Sequence, residues 1–165
     1  MSGTVEARLT ELGITLAEPT KPVAAYVAYV QTGNQLFLSG QVPLGIDPLP
    51  TGCLTKADEV AAGTAPAAGS KLAAAVAAAR QCAINLIAQA KDATGDLERV
   101  ERVVKLVGFV NSAADFTQQP LVVNGASELM QAVFGPAGAH ARSAVGVSAL
   151  PLGVLVEVEA VMQIR

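Results

Sequence analysis

The sequence predicts an α+β fold, in which a mixed or antiparallel sheet carries two main helices packed on one face. Three segments favour this class: an Ala-rich amphipathic stretch at residues 70–90, a long apolar stretch at residues 100–111 and an alternating stretch at residues 154–164. Helical and extended segments in this order pack as one sheet with its covering helices. A chain of 165 residues has the length of one ordinary domain, so we expect residues 1–165 to form a single domain.

The N-terminal part of the chain predicts a short helix followed by a hairpin. Apolar residues recur at helical spacing in residues 4–12, and residues 1–20 are therefore interpreted as an N-terminal helical extension. Two short strands are expected at residues 24–30 and 35–39, joined by a turn around Gly33.

The middle of the chain predicts helix, strand and helix. Residues 70–90 carry an apolar stripe at helical spacing, and residues 100–111 are apolar on both faces, which is typical of a central strand. The second helix is expected within residues 116–134, beginning after Pro120 and stopped by the Gly-Pro pair that follows. Helices on one face leave the other face of the sheet uncovered, which predicts a homo-oligomer that buries sheet against sheet.

The last 26 residues predict a second hairpin with its turn at residues 150–153. A period of two places only apolar residues on one face of the final strand, and Glu157 and Glu159 on the other. Tight pairing across the turn puts Arg142 on the glutamate face, diagonal to Glu159. The hairpin therefore predicts a pocket with an anion-binding arginine, a carboxylate and a wall of small residues, namely Ala144, Gly146 and Ser148.

Composition excludes several classes of protein. The formal net charge of −3 and the lack of a basic block make nucleic-acid binding unfavourable. Cys53 and Cys82 occur in unrelated contexts, as expected for free thiols of a cytoplasmic protein. One histidine and two scattered cysteines do not build a zinc site, so no metal is expected. The first residues do not resemble a signal peptide, and no apolar run reaches the roughly 18 residues of a membrane span.

Short motifs resemble, in their order and spacing, those of the RidA (YjgF/YER057c/UK114) family. They are LSGQVP from Leu38, DF from Asp115, Asn124, FG from Phe134, RSAVGV from Arg142, the Leu150-Pro151 pair and VEVEA from Val156. The resemblance covers residues 26–164. It implies a chorismate-mutase-like fold and a homotrimer, in which the sheets form a central barrel and the active sites lie between subunits. The activity it implies is hydrolysis of reactive 2-imino acids, or their enamine tautomers, to 2-keto acids and ammonia.

Arg142 and Glu157 are the catalytic residues that the resemblance implies. Arg142 matches the arginine that binds the substrate carboxylate, which a guanidinium does through two parallel hydrogen bonds. Glu157 matches the acidic residue assigned to the water or the imine nitrogen, and a carboxylate there can orient or deprotonate water. Because a protonated imine is already electrophilic, no cofactor is expected.

The resemblance also implies a set of substrate-binding residues. Ser39 and Gly40 match a backbone segment that lines the pocket, Tyr26 matches an aromatic residue that closes it, and Asn124 matches a helical asparagine. The chain departs from the family pattern at Ala144, where many members have cysteine.

Two segments are longer than in compact members of the family, near residues 53–69 and 117–123. We expect these insertions to reshape the mouth of the pocket.

Alternative interpretations of the same residues remain open. Arg142 also fits a structural salt bridge with Glu159. His140 precedes Arg142 and fits either a residue that lines the cleft or, as the preferred interpretation, a surface residue at a loop end. Ser39 lacks the Gly-x-Ser-x-Gly turn and a histidine partner, which argues against a serine hydrolase. At the level of function, the alternatives are a non-catalytic small-carboxylate-binding or interaction module of the same fold, and an endoribonuclease.

Overall fold

One five-stranded sheet with helices on one face forms the framework of the computed structural model, which describes residues 4–19 and 25–165. The strands are β1 (Tyr29–Thr32), β2 (Gln35–Gln41), β3 (Val100–Asn111), β4 (Ala141–Val147) and β5 (Val156–Ile164). The helices are α1 (Val5–Glu11), α2 (Lys71–Thr94) and α3 (Gln119–Phe134). The strand order is β1-β2-β5-β3-β4, and α2 and α3 pack on each other and on the sheet. The predicted α+β class is confirmed.

Local signals set the bounds of the long helices. Ser70 caps α2 by accepting a hydrogen bond from the backbone N–H of Ala73 at 3.1 Å, and Gly95 ends the helix in the left-handed conformation with φ 73°. The helix therefore continues four residues beyond the predicted end. Helix α3 begins at Gln119, so Pro120 lies in its first turn, where its missing N–H costs nothing.

Helix α2 is long and apolar enough to cross a membrane by length and composition alone. Its apolar side nevertheless packs inside the fold: 56% of its most apolar 18-residue stretch is buried, and Leu72, Leu86 and Ile87 are fully buried. Packing against the sheet and α3 accounts for its composition.

The predicted N-terminal elements are found with shifted bounds. Thr4 caps α1, and the turn at Gly33, with φ 57°, joins β1 to β2. Strand β1 covers residues 29–32 rather than 24–30, and the predicted start of that strand at Ala24 lies outside the described residues.

Two glycines allow α3 to approach its neighbours closely. A Cβ atom at Gly108 of β3 would collide with the side chain of Val123, and one at Gly125 of α3 would collide with the carbonyl oxygen of Val76 in α2. These contacts fix α3 against both the sheet and α2, which matters because α3 carries Asn124.

The predicted C-terminal hairpin is wrong. Strand β4 pairs in parallel with β3, whereas β5 pairs antiparallel with β3 and β2. The connection does not fold back as a tight turn, because it pairs with an earlier loop. The N–H of Gly52 donates to the carbonyl of Gly153 at 2.9 Å, and the N–H of Leu155 donates to that of Pro50 at 3.0 Å. Strand β3 consequently lies between β4 and β5.

The new pairing changes the face on which Arg142 lies. The alternation predicted for β5 is confirmed: its apolar residues are buried, while Glu157 and Glu159 lie on the opposite, partly exposed face. Arg142 is in register with Leu106 and, through it, with Ala160. Arg142 therefore lies on the helix-covered face rather than on the predicted glutamate face, and Ala144 and Gly146 follow it there.

The face of the sheet opposite the helices carries exposed apolar side chains. Val30, Phe37 and Val145 are 52%, 42% and 44% exposed. Each lies on the same face as Glu157 or Glu159, by strand register. This surface has the apolar character expected of an association surface.

We expect Gly125→Ala to destabilise the fold by about 1–3 kcal/mol, because the added methyl group forces α2 and α3 apart. Helix propensity alone favours alanine over glycine by about 1 kcal/mol, so the two effects have opposite signs. Urea unfolding measures the difference. Glu128→Ala, at an exposed position of the same helix, is the control; an unchanged or raised midpoint for Gly125→Ala would contradict the close-packing argument.

Candidate active site

Helix α3 anchors Arg142 of the edge strand β4. The Nη1 group of Arg142 donates to Oδ1 of Asn124 at 2.8 Å and to Oγ of Ser127 at 3.0 Å. Asn124 and Ser127 are three positions apart on α3 and so lie on the same side of the helix. Both acceptors are neutral. The half-buried guanidinium is thus fixed in position, and no carboxylate of the described residues compensates its charge.

One edge of the guanidinium remains available. The two Nη1 hydrogens are used by Asn124 and Ser127, while Nε and Nη2 have no partner among residues 4–19 and 25–165. Nε–H and one Nη2–H point in parallel from the same edge, which is the arrangement that binds a carboxylate side-on. The ion pairs of the described chain involve other residues. The alternative of a structural Arg142–Glu159 salt bridge is therefore wrong for the single subunit.

Ser39 and Gly40 form a β-bulge in β2. Together they oppose the single residue Glu159 of β5. The Ser39 hydroxyl donates to the carbonyl of Val27 at 2.7 Å, which ties the segment before β1 to the bulge. Tyr26, next to that segment, is 57% exposed. The bulge is thus tied to Val27, the residue that follows the exposed Tyr26.

Glu157 lies beside this bulge, opposite Phe109 on the uncovered face. A Cβ atom at residue 40 would collide with the carboxylate of Glu157, so the position requires glycine. Partial burial raises the pKa of Glu157 above its usual value of 4.5, and the negative charge of Glu159 raises that pKa further. No hydrogen-bond donor in the described part of the chain reaches the carboxylate. Its free oxygens and raised proton affinity suit the handling of a water molecule.

The predicted site residues fall into two groups rather than one. We define the arginine group as Arg142, Asn124 and Ser127, and the bulge group as Tyr26, Ser39, Gly40 and Glu157. Strand β3 separates them: Arg142 pairs with Leu106 and Glu157 with Phe109, so the two residues lie two strand spacings apart across the sheet, about 10 Å, and three residues apart along it, about another 10 Å, on opposite faces. A single subunit therefore holds both halves of the predicted site without bringing them together.

The sequence interpretation missed Ser127 and misplaced His140. His140 is half-buried rather than a surface residue, with Nε2 at 3.0 Å from Ser127 Oγ and Nδ1 at 2.6 Å from the carbonyl oxygen of Gly138. A signal existed for both. His140 lies directly before β4 and two residues before Arg142, a spacing that puts two side chains on one side of an extended chain, and Ser127 follows Asn124 by three on a helix.

The two longer segments contact each other. Val60 donates its N–H to Oε1 of Gln118 at 3.0 Å and accepts from Nε2 of Gln118 at 2.6 Å, while the N–H of Thr117 donates to Glu59 at 2.6 Å. They border a cavity of 530 Å³. The two segments therefore stabilise one another.

Within the described ranges, no cluster of three or more His, Cys, Asp or Glu side chains is placed to hold a metal ion. Cys53 is exposed and Cys82 is buried, both as free thiols. Burial raises the pKa of the Cys82 thiol, which keeps it protonated and unreactive.

The fold defines an α+β protein of the chorismate-mutase-like type, with an exposed sheet face and, on the edge strand β4, an arginine that forms no ion pair within the described residues. The chain belongs to the YjgF/RidA family. The family model described as "YjgF/chorismate mutase-like, putative endoribonuclease" matches residues 6–163, which confirms the resemblance found in the sequence motifs.

Relatives match over nearly the whole chain. Protein TCP17 of Trypanosoma cruzi is 46% identical over 168 residues, which cover 99% of this chain and 96% of that protein. The structure of Atu1372 from Agrobacterium tumefaciens, of unknown function, matches with a TM-score of 0.80 and 41% identity over 98% of this chain and 92% of that one.

A putative endoribonuclease from Shewanella oneidensis matches with a TM-score of 0.84 and 31% identity over 98% of this chain and 100% of that chain. The YjgF gene product of E. coli is more distant, with a TM-score of 0.57 and 28% identity over 92% of this chain and 98% of that chain.

Glu159→Gln should lower the pKa of Glu157 towards its usual value, because it removes the negative charge two residues away on the same face. The measurement is a ¹³C NMR titration of the Glu157 carboxyl carbon. Glu101→Gln, which removes an exposed glutamate elsewhere, is the control and should leave the midpoint in place. An unchanged midpoint in Glu159→Gln would show that burial alone accounts for the shift.

Proposed function

We propose that the protein hydrolyses reactive 2-imino acids, or their enamine tautomers, to 2-keto acids and ammonia, as a homotrimer with active sites between subunits. The observation that supports this most directly is the free Nε/Nη2 edge of Arg142. Among the described residues this half-buried guanidinium is held by neutral acceptors alone, and a small organic carboxylate is the ligand that fits its charge and geometry.

The separation of the two groups supports an inter-subunit site. Strands β4 and β1 are the two edges of the sheet, so a cyclic assembly can place the arginine group of one subunit beside the bulge group of the next. The exposed apolar side chains of Phe37 and Val145 supply surface for such an assembly. In this proposal neither subunit has a complete site without its neighbour.

The chemistry requires only groups that the chain supplies. Arg142 of one subunit fixes the substrate carboxylate, which orients the adjacent imine carbon. Glu157 of the neighbour removes a proton from water as the water oxygen attacks that carbon and the C=N π electrons move to nitrogen. Glu157 then returns the proton to nitrogen, and the C–N bond breaks. The departing ammonia takes the remaining hydroxyl proton, and the product is the 2-keto acid.

Two alternative functions, carboxylate binding without catalysis and RNA cleavage, predict different experimental results. A carboxylate-binding module with the same arginine would bind 2-keto acids such as pyruvate without accelerating imine hydrolysis. Endoribonuclease activity appears in the description of the family and of the Shewanella oneidensis relative. The net charge of −3 argues against extended phosphate binding by this chain.

Subunit mixing tests the proposed site directly. Arg142→Ala and Glu157→Gln should each lower ammonia release from 2-iminopropanoate, generated in situ, by roughly 100-fold or more. If Arg142 and Glu157 act from different subunits, a 1:1 mixture unfolded and refolded together has both native residues at about one quarter of its interfaces. Activity should therefore return to about one quarter of the wild-type value.

Refolded wild-type protein and each variant refolded alone are the controls, and light scattering confirms that all have the same mass. No recovery in the mixture, with both single variants inactive, would place both residues in one subunit's site. A wild-type protein that leaves imine decay at the buffer rate would exclude the deaminase, whatever its affinity for pyruvate.

A further inference from the structure

A hydrogen-bond chain of fixed direction connects Arg142 to the backbone before β4. The carbonyl oxygen of Gly138, 2.6 Å from Nδ1 of His140, can only accept, so Nδ1 carries the proton. In the neutral ring Nε2 is then an acceptor and receives the hydroxyl proton of Ser127 at 3.0 Å. The Ser127 oxygen in turn accepts from Nη1 of Arg142 at 3.0 Å, since a guanidinium has no acceptor.

We propose that Ser127 and His140 are positioning residues for Arg142, which hold its Nη1 group so that the Nε/Nη2 edge is presented to the substrate carboxylate. This inference rests on the proposed function of Arg142 as the carboxylate-binding group. Nothing in the family motifs of this sequence includes Ser127 or His140; their role follows from the contacts alone.

The hydrogen bond from Arg142 to Ser127 depends on the hydrogen bond from Ser127 to His140. A helical serine without another acceptor usually turns its hydroxyl to the carbonyl one turn earlier in its own helix. His140 supplies a competing acceptor, and Ser127 is only 8% exposed, so water does not replace it freely. A hydroxyl that donates to His140 is also a better acceptor for Arg142, because hydrogen bonds in series polarise one another.

Asn124 accounts for only one of the two Nη1 hydrogens. With Asn124 as the sole acceptor, the guanidinium can still rotate about the Nε–Cζ bond, so that Nη1 and Nη2 exchange places. With Ser127 as well, both hydrogens of Nη1 are fixed, and side-on binding through Nε and Nη2 is the geometry that remains. The pair thus determines which edge of Arg142 meets the ligand.

Affinity for pyruvate tests the inference through paired variants. Ser127→Ala and His140→Ala should weaken pyruvate binding about 3- to 10-fold, the effect of one lost hydrogen bond. Ser127→Thr keeps the hydroxyl, and His140→Gln keeps an acceptor at the position of Nε2, so each should retain most of the affinity. Ser112→Ala is the matched control, because Ser112 is also 8% exposed and its N–H donates to Val147 at the opposite end of β4 from Arg142.

In turnover, the alanine variants should raise KM for 2-iminopropanoate more than they lower kcat, because they act on binding of the carboxylate. Equal pyruvate affinity in wild type, Ser127→Ala and His140→Ala would overturn the inference and leave the proposed function intact. The same holds if the conservative variants bind as weakly as the alanine variants.

A ligand-free measurement separates failure of the inference from failure of the proposed function. His140 is the sole histidine of the chain, so its ring ¹⁵N signals are unambiguous. They should show the Nδ1–H tautomer, and the Arg142 Nη signals should be separately resolved in wild type but averaged in Ser127→Ala. An Nε2–H tautomer, or averaged Nη signals in wild type, overturns the inference even if pyruvate binds. If pyruvate does not bind, the proposed function fails, but the His140 and Arg142 signals still show whether the hydrogen-bond chain is present.

Discussion

The position of β3 between β4 and β5 is the constraint on which the rest of the site depends. The parallel pairing of β4 and the antiparallel pairing of β5 place Arg142 and Glu157 on opposite sides of one strand and on opposite faces of the sheet. Had β4 and β5 formed a hairpin, the arginine and the glutamates would have neutralised each other within the subunit. Their separation keeps a cation and a carboxylate apart, and both remain available for other partners.

The separation of the arginine group from the bulge group is unfavourable for the stability of the fold, because each group contains a partly buried charge. Glu157 is partly buried beside Glu159, and both effects make its ionised form unfavourable in the folded protein. Because the pKa of Glu157 is raised on folding, the folded state favours the proton. The stability contributed by this group is present at low pH and is lost as the pH rises from the usual glutamate pKa through the raised value. Within the described part of the chain, Arg142 likewise has only neutral acceptors for a half-buried charge. A fold selected for stability alone would not combine these two features.

The sequence predicted those parts of the structure that local periodicity determines. The bounds of β3, the alternation along β5 and the stripe of α2 all follow from patterns within one element. The pairing of β4 could not be predicted in this way, because its partner is decided by the connection through Gly153 and Leu155 to an earlier loop.

The same distinction applies to the site. The family motifs predicted roles for Arg142 and Glu157, but the proximity of Gly40 to the Glu157 carboxylate depends on a bulge that the sequence pattern does not show. Ser127 was missed because its spacing of three from Asn124 is informative only once the contact between α3 and Arg142 is known. Its role becomes visible only when Gly108 and Gly125 bring α3 close enough to reach β4.

In the proposed interface, the charges of the substrate explain why the half-sites are kept apart. A protonated 2-imino acid has a carboxylate at one end and a cationic nitrogen at the other, so it can interact with Arg142 and Glu157 at once. Direct contact between Arg142 and Glu157 would form a salt bridge and exclude the ligand. If the two side chains are instead separated by the width of the ligand, the ligand itself compensates both charges. Hydrolysis removes the cationic nitrogen, so the 2-keto acid product keeps its attraction to Arg142 and loses its attraction to Glu157. The product is therefore bound less tightly than the substrate, and the two separated charges favour both substrate binding and product release.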